Sequence, residues 1–221
     1  MLRQPDLGTA ILLLIGGGTI LFLAGLSWRI VGASAVLGLV GAWVGWEFLQ
    51  DYQRQRVLTF LNPESDPLGA GYHILQSKIA LGAGGVFGRG YLQGTQSHLN
   101  FLPEKHTDFI FTMYAEEFGL LGAIVLLGLY MMVLAYGLNI ALQSRNHFGR
   151  LVCMGVMTTF LLYILINTAM VMGLVPVVGV PLPLVSYGGT SMLALMFGFG
   201  LAMSVHIHRD IEIPRNRMAF W

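Results

Sequence analysis

Charge is what this sequence has least of. Asp, Glu, Lys and Arg make up 10% of its 221 residues, against 55% hydrophobic residues, and the mean hydropathy is +0.69. Soluble chains carry about 25% charged residues, so twelve Lys/Arg and eleven Asp/Glu cannot cover a water-facing surface of this size. The formal net charge of +1 excludes a nucleic-acid partner held by phosphate neutralisation. Cysteine is limited to Cys153, inside an apolar run, which excludes a disulfide framework and cysteine-rich metal centres. Met1 to Asp6 holds no basic n-region and no small-residue cleavage site, so the apolar segment after it reads as a membrane span and not as a removable signal.

What the chain does have is long uncharged runs: Leu7 to Trp28, Ile30 to Trp46, Phe118 to Ser144, and Leu151 to His208, the last broken by Pro176, Pro181 and Pro183. A helix crosses the hydrocarbon core in about 20 residues. The expected fold is therefore an all-α integral membrane protein of about five transmembrane helices, over approximately 7–27, 30–49, 113–138, 151–175 and 190–207. Arg29, Arg145, Arg150, Arg209, Arg215 and Arg217 fall on one side in short connections and the tail. The positive-inside rule makes that side cytoplasmic, with the tail 209–221 inside and the long loop 50–108 extracytoplasmic. Gly41 and Gly45 form a small-xxx-small pair, suited to close helix packing.

The loop 50–108 gathers ten of the charged residues. Tyr72 to Leu81 carries helical periodicity and predicts a short amphipathic helix at the bilayer surface. The run Gly82-Ala83-Gly84-Gly85-Val86-Phe87-Gly88-Arg89-Gly90 lacks the spacing of a nucleotide-binding fingerprint. It reads either as a backbone nest for a diphosphate or as a plain turn cluster.

The densest constellation is Leu102-Pro103-Glu104-Lys105-His106-Thr107-Asp108-Phe109-Ile110-Phe111. Pro103 stops a preceding helix, Thr107 reads as an N-cap, and Asp108 falls in the first turn of a helix continuing to about Leu138. Asp108 is then either a helix-dipole residue or a general base at the mouth of a membrane cavity. Glu104 with Asp108 is a candidate carboxylate pair, and His98, His106, Glu104 and Asp108 leave a divalent cation open. Glu116 and Glu117 stand in apolar sequence where ionisable groups are costly, and Glu116 lies about 80° around an ideal helix from Asp108, on a shared face.

Between the last two spans, Asn167 is followed by Gly173-Leu174-Val175-Pro176-Val177-Val178-Gly179-Val180-Pro181-Leu182-Pro183-Leu184-Val185-Ser186-Tyr187-Gly188-Gly189-Thr190-Ser191. Non-helical backbone at membrane depth is tolerated only where protein buries it or it lines a cavity. Ser186 to Ser191 reads as the cap of the final helix, whose N-terminus suits an anion.

This run resembles the signature of the shape, elongation, division and sporulation family, with Asn167, Gly173, Pro176, Gly179, Ser186, Tyr187, Gly188 and Gly189 matching. Gln4 to Thr9, Asp51 to Arg56, Asp66 to Tyr72 and Leu102 to Phe111 resemble its rod-shape-determining branch. The chain aligns with the C-terminal part of a fold of roughly ten spans. The resemblance implies a peptidoglycan glycosyltransferase of the bacterial inner membrane that polymerises lipid II with inversion during cell elongation, beside a class B penicillin-binding protein. It places the family's essential aspartate on Asp108 and implies no certain cofactor. Lys78, Arg89, Glu104, Lys105 and Glu116 are the candidate substrate-binding residues, the cations among them suited to a diphosphate. The alternatives are a lipid II flippase, suggested by the proline-broken segment, and a non-catalytic scaffold for the penicillin-binding protein.

Overall fold

A computed structural model of the chain describes residues 7–45, 51–62, 66, 69–94 and 106–211. Among the described residues the regular elements are all helices: α1 (Leu7–Leu23), α2 (Trp28–Gly45), α3 (Asp51–Leu61), α4 (Ala70–Gly84), α5 (Ile110–Gln143), α6 (His147–Val171) and α7 (Gly189–Ile207). The last three are each long and apolar enough to cross a membrane, whereas α1 and α2 are shorter apolar helices.

The core is the α5–α6 pair. Tyr130, Leu134, Ile140 and Ala141 of α5 are buried with Cys153, Met157, Phe160 and Ile164 of α6. Gly137 makes this approach possible, since a Cβ there would lie 2.7 Å from Cγ of Met157. Tyr130 meets Phe160 edge-on at 5.6 Å, and its hydroxyl donates to the Pro183 carbonyl at 2.6 Å. α1 packs Ile20 against Gly155, and α7 brings Gly198 against Val156 and Phe199 against Phe160. No close contact forms at Gly41, where a Cβ would meet nothing within 4 Å.

Most of the apolar exterior remains exposed. In α7 only Ala202 is buried, while Leu193 and Phe197 are more than 70% exposed. A patch of that size is an aggregation liability in water and an ordinary lipid-facing or helix-facing surface in a bilayer.

Helix ends follow local chemistry. Asn146 caps α6 by accepting from the Phe148 amide at 3.0 Å. α6 stops in a Schellman motif: Gly173 takes φ +69°, its amide donates to Met170 O, and the Leu174 amide donates to Ala169 O.

Several expectations change. α5 begins at Ile110, not at Asp108, and its N-cap position, Phe109, makes no side-chain cap bond, so Thr107 does not cap it. Its helix is not continuous: Gly119 has φ 66° and ψ −164°, which divides a short first segment, 110–118, from the longer stretch 120–143. The break falls at the start of the uncharged run Phe118 to Ser144, just after Glu116 and Glu117, and glycine alone did not mark it. The amphipathic helix is longer than 72–81, spanning Ala70–Gly84, and residues 51–61, expected as loop, form α3. α7 is preceded by Gly188 without a side-chain cap, and Ser191 instead donates to Gly188 O at 2.9 Å.

Candidate active site

Three consecutive carbonyls before α5 are gripped by the signature residues. The Tyr187 amide donates to His106 O at 2.9 Å, the Ser186 hydroxyl donates to Thr107 O at 2.6 Å, and the Asn167 amide nitrogen donates to Asp108 O at 2.8 Å. All three residues lie in the turn 106–109 that precedes the helix, where the backbone draws on donors from other elements.

The grip is itself braced. Asn167 is fully buried, and its second N–H donates to Val180 O at 2.7 Å, tying the proline-rich segment to the same side chain. The Ser186 hydroxyl also accepts from the Leu182 amide at 2.7 Å, which closes the loop 182–186 on itself. Asp108 is half-buried, with Oδ2 lying 3.4 Å from where a Cβ on Gly179 would stand. Gly179 itself takes φ +74°, so the residue beside the carboxylate is glycine for a conformational reason, a Cβ there making only an ordinary contact.

α4 supplies the other wall. Ser77 is buried and donates to Val171 O at 3.0 Å, docking α4 on the end of α6. One turn earlier, the His73 ring lies 6.2 Å from that of Phe109, the neighbour of Asp108. The exposed Lys78 passes over the Schellman glycine, where a Cβ on Gly173 would lie 2.8 Å from Nζ. His73 and Ser77 escaped the sequence reading; the available signal was their four-residue spacing on one face of a helix beside Ile74 and Ala80. From the other side, Gly8 of α1 meets Val178, whose Cβ would lie 3.0 Å from a glycine Cβ.

Asp108, Asn167, Gly179, Ser186 and Tyr187 are thus brought together, and Lys78 is brought to Gly173. Arg89 and Glu116 meet elsewhere. The Arg89 amide donates to Glu116 O at 3.0 Å at the far end of the first α5 segment, about 12 Å from Asp108 at helical rise. Glu116 is fully buried there, and the exposed Arg89 side chain turns back to donate to Ala83 O at 3.3 Å. Glu104, Lys105 and His98 lie outside the described residues. Among the described residues no three His, Cys, Asp or Glu side chains converge as metal ligands.

The glycine run serves packing against the α5 break. Beyond Arg89, the Gly90 amide donates to Glu117 O, and the Leu120 and Leu121 amides donate to Gly85 O and Val86 O, at 3.0–3.1 Å. A Cβ on Gly84 or Gly88 would collide with the carbonyl of Ala115 or Glu117. The close approach that glycine permits is made here by protein backbone.

An all-helical membrane fold whose proline-broken segment clamps an aspartate turn at a helix end defines the class. The chain belongs to the cell cycle protein family of FtsW, RodA and SpoVE, whose model matches residues 1–211. It is 56% identical over 209 residues to the peptidoglycan glycosyltransferase MrdB of Escherichia coli K12, covering 94% of this chain and 56% of that protein. With the peptidoglycan glycosyltransferase RodA of Treponema pallidum it shares 46% identity over 163 residues, 74% of this chain and 38% of that one. Among solved structures, a chain of a peptidoglycan synthase complex that coordinates polymerisation and crosslinking superposes with a TM-score of 0.77 at 36% identity, covering 95% of this chain and 58% of that one. The rod-shape-determining protein RodA of Thermus thermophilus superposes with a TM-score of 0.59 at 30% identity, over 94% and 52% of the two chains. The chain spans about half the length of the curated relatives it matches.

Proposed function

We propose that this chain carries the catalytic outer face of a peptidoglycan glycosyltransferase that polymerises lipid II. The observation that carries the reading is the clamp on the 106–108 carbonyls: three donors from the family signature converge on the turn of one carboxylate. Holding a reacting group in a fixed geometry is how a protein lowers the entropic part of a barrier.

In this mechanism the Asp108 carboxylate accepts the proton of the acceptor sugar's 4-hydroxyl. The freed oxygen attacks the anomeric carbon of the donor, the bond from that carbon to polyprenyl diphosphate breaks with the electron pair leaving on the diphosphate, and configuration inverts. Lys78, held across Gly173, is a cation suited to meet the leaving diphosphate. Arg89 and Glu116 take structural parts at the α5 break. The positive-inside pattern puts the tail from Arg209 in the cytoplasm and Asp108 on the outer face of the bacterial inner membrane. A class B penicillin-binding protein fits as partner, since the similar synthase complex couples polymerisation to crosslinking.

The test is glycan synthesis from lipid II by the purified protein and its Asp108→Asn variant. A general base contributes about 10²–10⁴-fold, so polymer formation is expected to fall at least a hundredfold in the variant while the fold persists. Undiminished polymer would remove Asp108 from the chemistry. Lipid II translocation in vesicles that survives the change, with no polymer from either protein, would favour the flippase.

A further inference from the structure

The pairing of the glycine turn with the α5 break leaves an apolar tip on the outside. Phe87 is 81% exposed and Tyr91 71%, with Val86, Leu92 and Phe118 also exposed. The Tyr91 ring lies 6.4 Å from that of Phe118, so the patch runs without interruption from the turn onto α5. It continues there into Leu121 and Val125, apolar and exposed, on a helix long and apolar enough to cross a membrane.

The tip cannot fold away from this surface. Leu120 and Leu121, the first residues after the break, donate their amides to Gly85 O and Val86 O, and the Arg89 and Gly90 amides close the other side. Its height is therefore tied to the span. Gly119 lies about 36 Å along α5 from Gln143, which puts the tip where the hydrocarbon core gives way to headgroups. Exposed aromatic rings flanking a guanidinium, Phe87 and Tyr91 around Arg89, are the chemistry of that layer.

We propose that Val86, Phe87, Tyr91 and Leu92 insert into the leaflet on the Asp108 side of the membrane. The occupant of this patch is phospholipid, with Arg89 at headgroup level, and the insertion pins the height of the α5 break. The inference goes beyond the glycosyltransferase reading and does not depend on it, because its test reads depth and not turnover.

The experiment is spin-label accessibility in the full chain, reconstituted in phosphatidylethanolamine and phosphatidylglycerol vesicles. Phe87→Cys and, separately, Tyr91→Cys are labelled in a Cys153→Ala background. Cys153 is fully buried, and removing it leaves one reactive thiol. Val125→Cys supplies the lipid reference and Asp210→Cys the aqueous one. Both tip labels are expected to relax several-fold more with oxygen than with the water-soluble nickel(II) ethylenediaminediacetate, approaching the Val125 reference. Nickel accessibility equal to that at Asp210 would place the tip in water. Low accessibility to both relaxants would mean that protein covers it. Either result overturns the proposal.

Discussion

Asn167 does something at this position that few side chains can do. Its amide group presents two N–H donors in one plane, and here they join the carbonyl of Asp108 to that of Val180. Alanine would leave two buried carbonyls without their donor, at about 1–3 kcal/mol for each unsatisfied group. Asn167→Ala is therefore expected to destabilise the protein by at least about 2 kcal/mol, seen as a lowered unfolding midpoint in detergent. Asn167→Asp is expected to lower it further, because two carboxylate oxygens would face the same two carbonyls. Ser186 illustrates the same economy of bonding: one hydroxyl accepts from Leu182 and donates to Thr107. The sequence marks Asn167 and Ser186 as signature residues, but what they grip was not readable from it. Their partners lie 59 and 79 residues away, and no local pattern encodes a pairing over that separation.

At the scale of the element, α5 is governed by its break. Gly119 combines φ 66° with ψ −164°, a region open essentially to glycine alone. A Cβ there would also lie 2.6 Å from Val86 O and 2.8 Å from the Phe87 carbonyl carbon. Gly119→Ala is accordingly expected to cost about 1–3 kcal/mol from backbone strain alone, measured by the same midpoint. Gly128→Ala is the control: it lies further along α5, a Cβ meets nothing within 4 Å, and the change is expected to be neutral or stabilising by up to about 1 kcal/mol. Sequence alone did not separate these two glycines, since both fall inside the uncharged run Phe118 to Ser144 and no local signal marks a positive φ. By contrast a helix at α4 was legible from the spacing of Tyr72, Leu75 and Ile79, although the face it buries is Ile74, Ser77 and Ala80 and Ile79 is exposed. The end of α6 was not: the span was expected to run to 175, whereas the Schellman turn at Gly173 ends the helix at Val171.

For the molecule as a whole, scarcity of charge announced the membrane, and ten of the charged residues fall in the segment that leads to Asp108. The helices then assemble around α6, which α1, α5 and α7 all contact, while the start of α5 and the end of α6 are bridged by α4 and the proline-rich segment. In the proposed mechanism this bridge works through Asp108: the signature residues position the carboxylate and do nothing chemical themselves. The most direct measurement is a double-mutant cycle in lipid II polymerisation, comparing Asn167→Ala, Asp108→Asn and the double variant, with any unfolded fraction corrected from the midpoints. Residues that act as one unit lose activity non-additively. The expected result is that Asn167→Ala alone lowers kcat with little change in KM, and that the double variant is no slower than Asp108→Asn. Losses that multiply in the double variant would show that Asn167 acts independently of Asp108 and would contradict the claim.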